Sequence, residues 1–431
     1  MRIFLDSIGC RLNQSEIENY ARQFRSAGHT LVPSAGEADL SVINTCTVTN
    51  AADSDSRSKI RQAVRAGSNQ VVVTGCWSTL NPGKAAHLPG VTKVIPNQNK
   101  GLLVPEILGI PSEYFDLEPI ARELIPGARL RTRAFIKAQD GCDNHCTFCI
   151  TTIARGAGKS RVPHEIIEDI TAALNDEEGM SAKEIVLTGV HLGSWGKDLP
   201  DQQNLSDLIK MLLAETDVPR LRISSLEPWD LDDDFFNLFN DARLCRHLHL
   251  PLQSGSGTVL RRMARNTTPE KFSRLISAAR QACPDIAITT DLITGFPGET
   301  EYEFNETIEF VRSMSFSGGH VFTYSARPGT AAENMPDQVD FPIRKERNAK
   351  LRQLLADSSQ TYRNRFLNQT LSVLWETVTR MDSERWHLHG LSDNYLRVHA
   401  HARKNLWNQI TPVRASSWDE KGLKGHLITI A

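Results

Sequence analysis

The 431-residue chain contains no run of 18 apolar residues, so no membrane-spanning helix is expected. It has no surplus of either charge, with 49 basic against 51 acidic residues. The chain as a whole is therefore not an obvious polyanion binder, and any nucleic-acid surface must come from local clustering. Internal repeats and low-complexity tracts are absent, which excludes solenoids and linker-dominated chains. Residues 1–6 read as a strand rather than as the charged and apolar parts of a secretory leader. A cytoplasmic location, away from membranes, is the expectation. That compartment is reducing, so the eight cysteines read as metal ligands or redox groups rather than as a disulfide framework.

What is present is ordinary globular composition, 40% apolar and 23% charged. The length exceeds one typical core and predicts two or three domains. The fold class is α/β. Strands are expected at 2–7, 39–44 and 70–74, and helices at 14–27 and 51–66. Helix 14–27 carries Ile17, Tyr20, Ala21 and Phe24 at helical spacing and stops at Gly28. The Val71-Val72-Val73 run suits a buried parallel strand. This βαβαβ order predicts a small parallel domain, 1–125. Residues 106–131 read as an irregular, proline-rich linker.

From residue 133 strands and helices alternate again. Strands are expected at 134–138, 184–187, 220–224, 247–252, 287–293 and 320–324. Helices at 163–174, 205–216, 269–282 and 301–313 fall between them. This predicts a full or partial (β/α) barrel over 126–366, with its chemistry on loops at the strand C-termini. The barrel domain closes on a charged helix, 342–366. Short strands at 371–379, 386–390, 395–400, 409–415 and 425–430 then predict a small β-barrel, 367–431.

Cys142, Cys146 and Cys149 form a CxxxCxxC pattern directly after the first barrel strand. Three thiolates on a 4Fe–4S cluster leave one iron without a protein ligand. That iron can chelate the amino and carboxylate groups of S-adenosylmethionine for reductive cleavage. Phe148, just before the third cysteine, supports this reading. The alternatives are a zinc site, which usually takes four protein ligands, or three unrelated thiols. Cys10, Cys46 and Cys76 each end a predicted parallel strand, and such ends share one edge. A second cluster and three merely buried cysteines are both open there. Cys245 and Cys283 fit no pattern and read as structural.

The residues around these cysteines resemble the radical S-adenosylmethionine methylthiotransferase family over nearly the whole chain. The matching segments are Gly141-Cys142 to Cys149-Ile150, Arg155-Gly156, Ser160-Arg161, Gly9-Cys10 and Thr74-Gly75-Cys76. The resemblance implies that Cys10, Cys46 and Cys76 hold an auxiliary 4Fe–4S cluster beside the one on Cys142, Cys146 and Cys149. Asn44-Thr45-Cys46-Thr47-Val48-Thr49-Asn50, the Gly189–Gly193 stretch with His191, Glu227-Pro228 and Gln253-Ser254-Gly255-Ser256 resemble the branch acting on N6-threonylcarbamoyladenosine in tRNA. The other branches act on isopentenyladenosine tRNA or a ribosomal protein. The sequence departs from the family at Thr152, where proline is usual, at Thr267, where tyrosine is usual, and at Trp77.

The resemblance implies tRNA and S-adenosylmethionine as substrates and a reductant protein such as flavodoxin or ferredoxin. The central domain is then a radical-SAM partial barrel. Its cofactor pocket is expected at Gly189, Ser225, Glu227, Asp291 and Gly295, with Arg155, Lys159 and Arg161 available to neutralise a carboxylate or phosphate. No general base is assigned. The C-terminal barrel resembles the RNA-binding TRAM module, with Trp386, Tyr395 and four histidines as candidate contacts.

Overall fold

The computed structural model describes residues 1–115, 126, 132–175, 181–232, 234–382 and 385–428. The first unit is a five-stranded parallel sheet. Its strands are β1 (Arg2–Ser7), β2 (Thr30–Leu31), β3 (Leu40–Thr45), β4 (Gln70–Gly75) and β5 (Val91–Ile95), in the order β2-β1-β3-β4-β5. Helices α1 (Arg11–Ser26) and α2 (Asn50–Arg65) follow β1 and β3. The apolar stripe of α1, with Ile17, Tyr20, Ala21 and Phe24, is buried against the sheet, as its spacing predicts. Three short helices complete the unit: α3 (Cys76–Leu80), α4 (Pro82–Ala86) and α5 (Leu103–Leu108). Helix α5 occupies the start of the expected linker. Pro105 sits in its first turn, where a missing N–H costs nothing. Most of the rest of that linker lies outside the described residues.

The central unit begins with β6 (Arg133–Lys137) and a two-stranded ribbon of β7 (Gln139–Asp140) and β8 (Lys159–Ser160). Strands β9 (Glu184–Thr188) and β10 (Leu221–Ile223) pair with β6 in the order β10-β9-β6. Strands β11 (His247–His249), β12 (Ala287–Thr294) and β13 (Gly318–Thr323) form a second parallel sheet in chain order. Parallel bridges Leu221↔Leu244 and Ser225↔His249 join the two sheets between β10 and β11. The result is a six-stranded partial barrel whose edge strands are β6 and β13.

Helices α6 (Ile150–Arg155), α7 (Pro163–Leu174), α8 (Leu205–Glu215), α9 (Gly257–Arg262), α10 (Pro269–Ala282) and α11 (Glu301–Met314) run between the strands. Alternation divides the strand residues. Ile136, Ile185, Leu187, Ile223, Leu248, Ile288 and Leu292 face the helices in one apolar core. Their neighbours face the barrel interior. Helix α12 (Phe341–Asn364) then packs on β12 and β13.

The C-terminal unit is a closed barrel of β14 (Thr370–Arg380), β15 (Trp386–Ser392), β16 (Arg397–Ala402), β17 (Ile410–Asp419) and β18 (Gly422–Leu427). Its docking is polar and buried. Arg222, fully buried on β10, holds Glu184 through two bonds of 2.6 and 3.1 Å. The same guanidinium donates to the Ser392 and Asp393 carbonyls. The strand expected at 425–430 begins instead at Gly422, because a turn at 420–421 lets β18 fold back on β17.

Candidate iron–sulfur and cofactor sites

The parallel register of the first sheet sets Ser7 opposite Asn44 and Asn44 opposite Thr74. Cys10, Cys46 and Cys76 therefore leave the sheet at one edge. Cys46 and Cys76 are buried, and Cys10 is exposed. Gly9, at φ +102°, lies so close that a Cβ there would stand 2.6 Å from the Cys46 Sγ. Its lack of a side chain lets the β1 end close over Cys46. Two amides border the group. Asn13 Oδ1 is 3.8 Å from Cys10 Sγ, and Asn97 Nδ2 is 3.5 Å from Cys76 Sγ. Burial pushes the Cys46 thiol up to about 11, and the nearby Cys10 and Cys76 add to the rise. Three cysteines gathered in a part-buried niche, where burial disfavours a bare thiolate, are a donor set that a cationic cluster would ionise on binding.

The second triplet sits on the loop from β7 to α6. Gly141 (φ +69°) turns the chain into it, and a Cβ there would lie 1.9 Å from the Ala157 carbonyl oxygen. The loop is tied down at several points. Cys142 N donates to Gly156 O at 3.0 Å, and Thr147 N donates to Met263 O at 3.1 Å. Phe148 packs edge-on against Phe296. Gly141→Ala combines a strained φ with a backbone clash. It should lower the iron bound per chain and cost about 1–3 kcal/mol of stability. Iron assay beside circular dichroism checks this, since the rest of the fold should persist.

Two cations face these thiols. Arg265 Nη1 stands 3.7 Å from Cys146 Sγ, while the same guanidinium forks onto Glu227 at 3.0 and 2.6 Å. Trp229 lies beneath it, 4.6 Å from ring centre to guanidinium carbon. Burial raises the Cys146 thiol pKa, and Arg265 offsets part of that rise. His191 Nε2 is 2.6 Å from Asp230 Oδ2. Burial works against its charge, but bonds to Asp230 and Cys142 raise its pKa to about 9. Gly193 makes room for this pair, because a Cβ there would meet Asp230 at 2.6 Å. Sequence reading missed the roles of Arg265, Asp230 and His191. Only the glycines around His191 hinted at a close approach.

The expected cofactor residues divide. Glu227 and Ser225 stand beyond β10, and Glu227 is already paired with Arg265. Gly189, after β9, approaches Gln139, to which a Cβ would come within 3.1 Å. Asp291 faces the barrel interior between His249 and His320, 3.3 Å from each. Burial alone would raise its pKa, but the two imidazoles hold it below the usual carboxylate range. Gly295 lies apart, its missing side chain leaving space for Arg344.

Two expected anion binders are not free. Arg155 is buried on Glu16, Asp140 and Asn13, and Arg161 holds Glu165 and Asp169. Protein carboxylates have taken these guanidinium groups. Lys159 pairs at the ribbon edge and is exposed. The departures are internal. Trp77 and Thr267 are buried, and Thr152 lies inside α6.

Helix α3, which begins at Cys76, and helix α6, which follows Cys149, meet at a polar seam. Asn97, beside Cys76, also donates to Ala154 O of α6 at 2.7 Å. Among the described residues no three acidic, thiol or imidazole side chains close tightly enough for a single ion.

Two family models match the chain. The Radical SAM superfamily model covers residues 136–311, and the uncharacterized protein family UPF0004 covers 2–95. Threonylcarbamoyladenosine tRNA methylthiotransferase MtaB of Bacillus subtilis (strain 168) is 38% identical, over 95% of this chain and 92% of its own. The enzyme of that name from Thermotoga maritima is 35% identical over 86% of each. A tRNA-2-methylthio-N(6)-dimethylallyladenosine synthase of Caldicellulosiruptor saccharolyticus is 33% identical over 87% of this chain and 82% of its own. Among solved structures, the radical S-adenosylmethionine methyltransferase TsrM of Kitasatospora setae superimposes with a TM-score of 0.57 at 14% identity, over 77% of each chain. That last likeness concerns the fold alone. Identity and coverage at these levels, with both cysteine triplets set at strand ends, mean that the chain belongs to the radical S-adenosylmethionine methylthiotransferase family, in the branch of the threonylcarbamoyladenosine tRNA enzymes.

Proposed function

We propose that this protein replaces the carbon-2 hydrogen of N6-threonylcarbamoyladenosine in tRNA with a methylthio group. The observation that carries the proposal is the pair of thiol triplets at the strand ends of two α/β units whose following helices, α3 and α6, meet. Cys142, Cys146 and Cys149 would hold one 4Fe–4S cluster, and Cys10, Cys46 and Cys76 the other. When bound, the first supplies the electron that breaks a carbon–sulfur bond of S-adenosylmethionine, and the second carries the sulfur to be transferred.

The chain's own residues do the rest. Arg265 and His191 place positive charge beside Cys146 and Cys142, charge that would offset the negative charge of a thiolate-ligated cluster. Glu227 and Asp230 fix those cations in place. Gly141 and Gly9 let backbone close over each triplet. Asn97 and Arg155 fasten one unit to the other, so that two half-reactions can meet at one substrate atom. Residues 1–125, 126–366 and 367–431 divide the work into sulfur transfer, radical generation and RNA binding. We read Ser225 beyond β10, Gly189 after β9 and Phe148 on the cysteine loop as candidate contacts of S-adenosylmethionine. A flavodoxin or ferredoxin would deliver the electrons. The setting is the cytoplasm. Among the described residues no helix is long and apolar enough to cross a membrane.

The test is anaerobic reconstitution, then incubation with S-adenosylmethionine, reductant and tRNA carrying threonylcarbamoyladenosine or isopentenyladenosine. About eight irons per chain and a methylthio product only on the first tRNA are expected. A product only on the second would overturn the substrate. Deoxyadenosine without any modified nucleoside would remove the transfer reaction.

A further inference from the structure

Inside the partial barrel, the face opposite the apolar core carries a cluster of polar side chains. His247 and His249 on β11, Thr289 and Asp291 on β12, and His320 and Phe322 on β13 share this inner face by alternation. The face is reachable. The His320 side chain is 75% exposed, and Phe322, a large apolar residue, is 42% exposed. Thr289 Oγ1 joins His247 and His249, at 2.9 Å from each.

One cation enters this space from another unit. Arg11, the first residue of α1, donates from Nη2 to the Tyr395 hydroxyl at 2.9 Å. Tyr395, from the C-terminal barrel, stacks flat on His247 with ring centres 4.0 Å apart. All three units thus meet at Tyr395. Asp291 raises the His320 pKa and burial lowers that of His247, and the Arg11 charge acts on both from nearby as the smallest of the causes.

The balance of charge singles Arg11 out. Lys137 pairs with Asp140, and Arg222 pairs with Glu184. Asp291 is held between His249 and His320. Among the described residues, Arg11 has no carboxylate partner, and one phenol uses one of its five donors. A guanidinium in this setting suits a carboxylate from outside.

Chemistry supplies that carboxylate. On adenine, carbon 2 and carbon 6 flank N1, so their substituents leave the ring in different directions. A base that presents carbon 2 to the strand ends can therefore place its N6 group against another part of the same interior face. A threonylcarbamoyl group ends in a carboxylate, whereas an isopentenyl group ends in hydrocarbon. We propose that Arg11, with His320 beside it, receives the threonyl carboxylate and so selects the carboxylated adenosine. This rests on the substrate proposed above.

The experiment uses reconstituted holoenzyme with two anticodon stem-loops, one carrying threonylcarbamoyladenosine and one its threonyl methyl ester. The native protein should prefer the free carboxylate by about 10- to 100-fold in kcat/KM, the worth of one charge-assisted bond. Arg11→Gln should lose that preference by weakening the acid and sparing the ester, and Arg11→Lys should restore part of it. Stem-loop Kd values from fluorescence anisotropy on the same variants should move in parallel. An equal loss on both stem-loops would make Arg11 merely structural beside Cys10 and overturn the proposal. A raised KM for S-adenosylmethionine with the preference intact would assign the guanidinium to that cofactor's carboxylate instead, and would overturn it too. Native protein that methylthiolates neither stem-loop yet still releases deoxyadenosine would defeat the substrate reading itself, and this inference with it.

Discussion

Replacing Cys142, Cys146 or Cys149 by alanine should leave about four of the eight expected irons and no measurable cleavage of S-adenosylmethionine. The expected loss of deoxyadenosine formation is at least about 1000-fold, because the removed group supplies the bond-breaking electron itself. Cys10, Cys46 or Cys76 to alanine should also remove about four irons, yet leave deoxyadenosine formation standing while the methylthio product disappears. The two outcomes separate the triplets by function, since each sits on its own sheet. Iron analysis and nucleoside mass spectrometry on the six variants check this. If any variant of the first triplet kept its deoxyadenosine, the assignment of that loop would fail.

Arg155→Met should be the most damaging change outside the cysteines. Arg155 and Glu16 are 2% and 3% exposed in their side chains. Glu16 takes Arg155 on one oxygen at 3.1 Å and Lys100 on the other at 2.6 Å. Asn44 also donates to it at 2.8 Å. The same Nη1 of Arg155 donates to Asp140 at 2.7 Å, and Nη2 donates to Asn13 at 2.8 Å. Glu16 and Lys100 belong to the first unit, and Arg155 and Asp140 to the second. Removing the guanidinium leaves Asp140 with Lys137 alone and takes from Glu16 Oε1 its nearest counter-charge, at a cost of about 3–5 kcal/mol. Urea unfolding should register this as early loss of the first unit, and limited proteolysis should cut between units. Replacing Glu16, Lys100 and Arg155 together by apolar residues should recover part of the loss, because no charge is then stranded. A cost below about 1 kcal/mol for Arg155→Met would mean that water already screens the seam.

The same seam sets a pH dependence. Burial alone would raise the Glu16 pKa, but the Lys100, Arg155 and Lys137 charges hold it below the usual carboxylate range. A depressed folded pKa stabilises the fold fully above the ordinary value of 4.5, and the benefit fades as pH falls below it. Docking of the first unit should therefore weaken on acidification. Glu16→Gln should flatten that limb of the stability profile.

Much of this was legible in the chain. Cys142, Cys146 and Cys149 lie within eight residues, so backbone geometry alone gathers them, and their spacing named the chemistry. Cys10, Cys46 and Cys76 are far apart, yet each ends a strand. Parallel pairing aligns such ends, so topology read from hydrophobic pattern was enough to bring them to one edge. The C-terminal barrel was visible as alternation between turns.

Other features were out of reach, for a physical reason. Arg155 and Arg161 looked like free cations because sequence shows a charge but not its partner. Glu16 lies 139 residues from Arg155, and only docking of two units makes the pair. Arg265 reached Glu227 and Cys146 through the fold of the loops after three different strands. Tyr395 met Arg11 across 384 residues, at a junction of three units. The sequence by itself determined the local motifs, the periodicities and the order of units, because these depend on near neighbours along the backbone. The tertiary structure alone decided which charges are cancelled and which remain for a ligand, because burial and pairing are properties of packed surfaces.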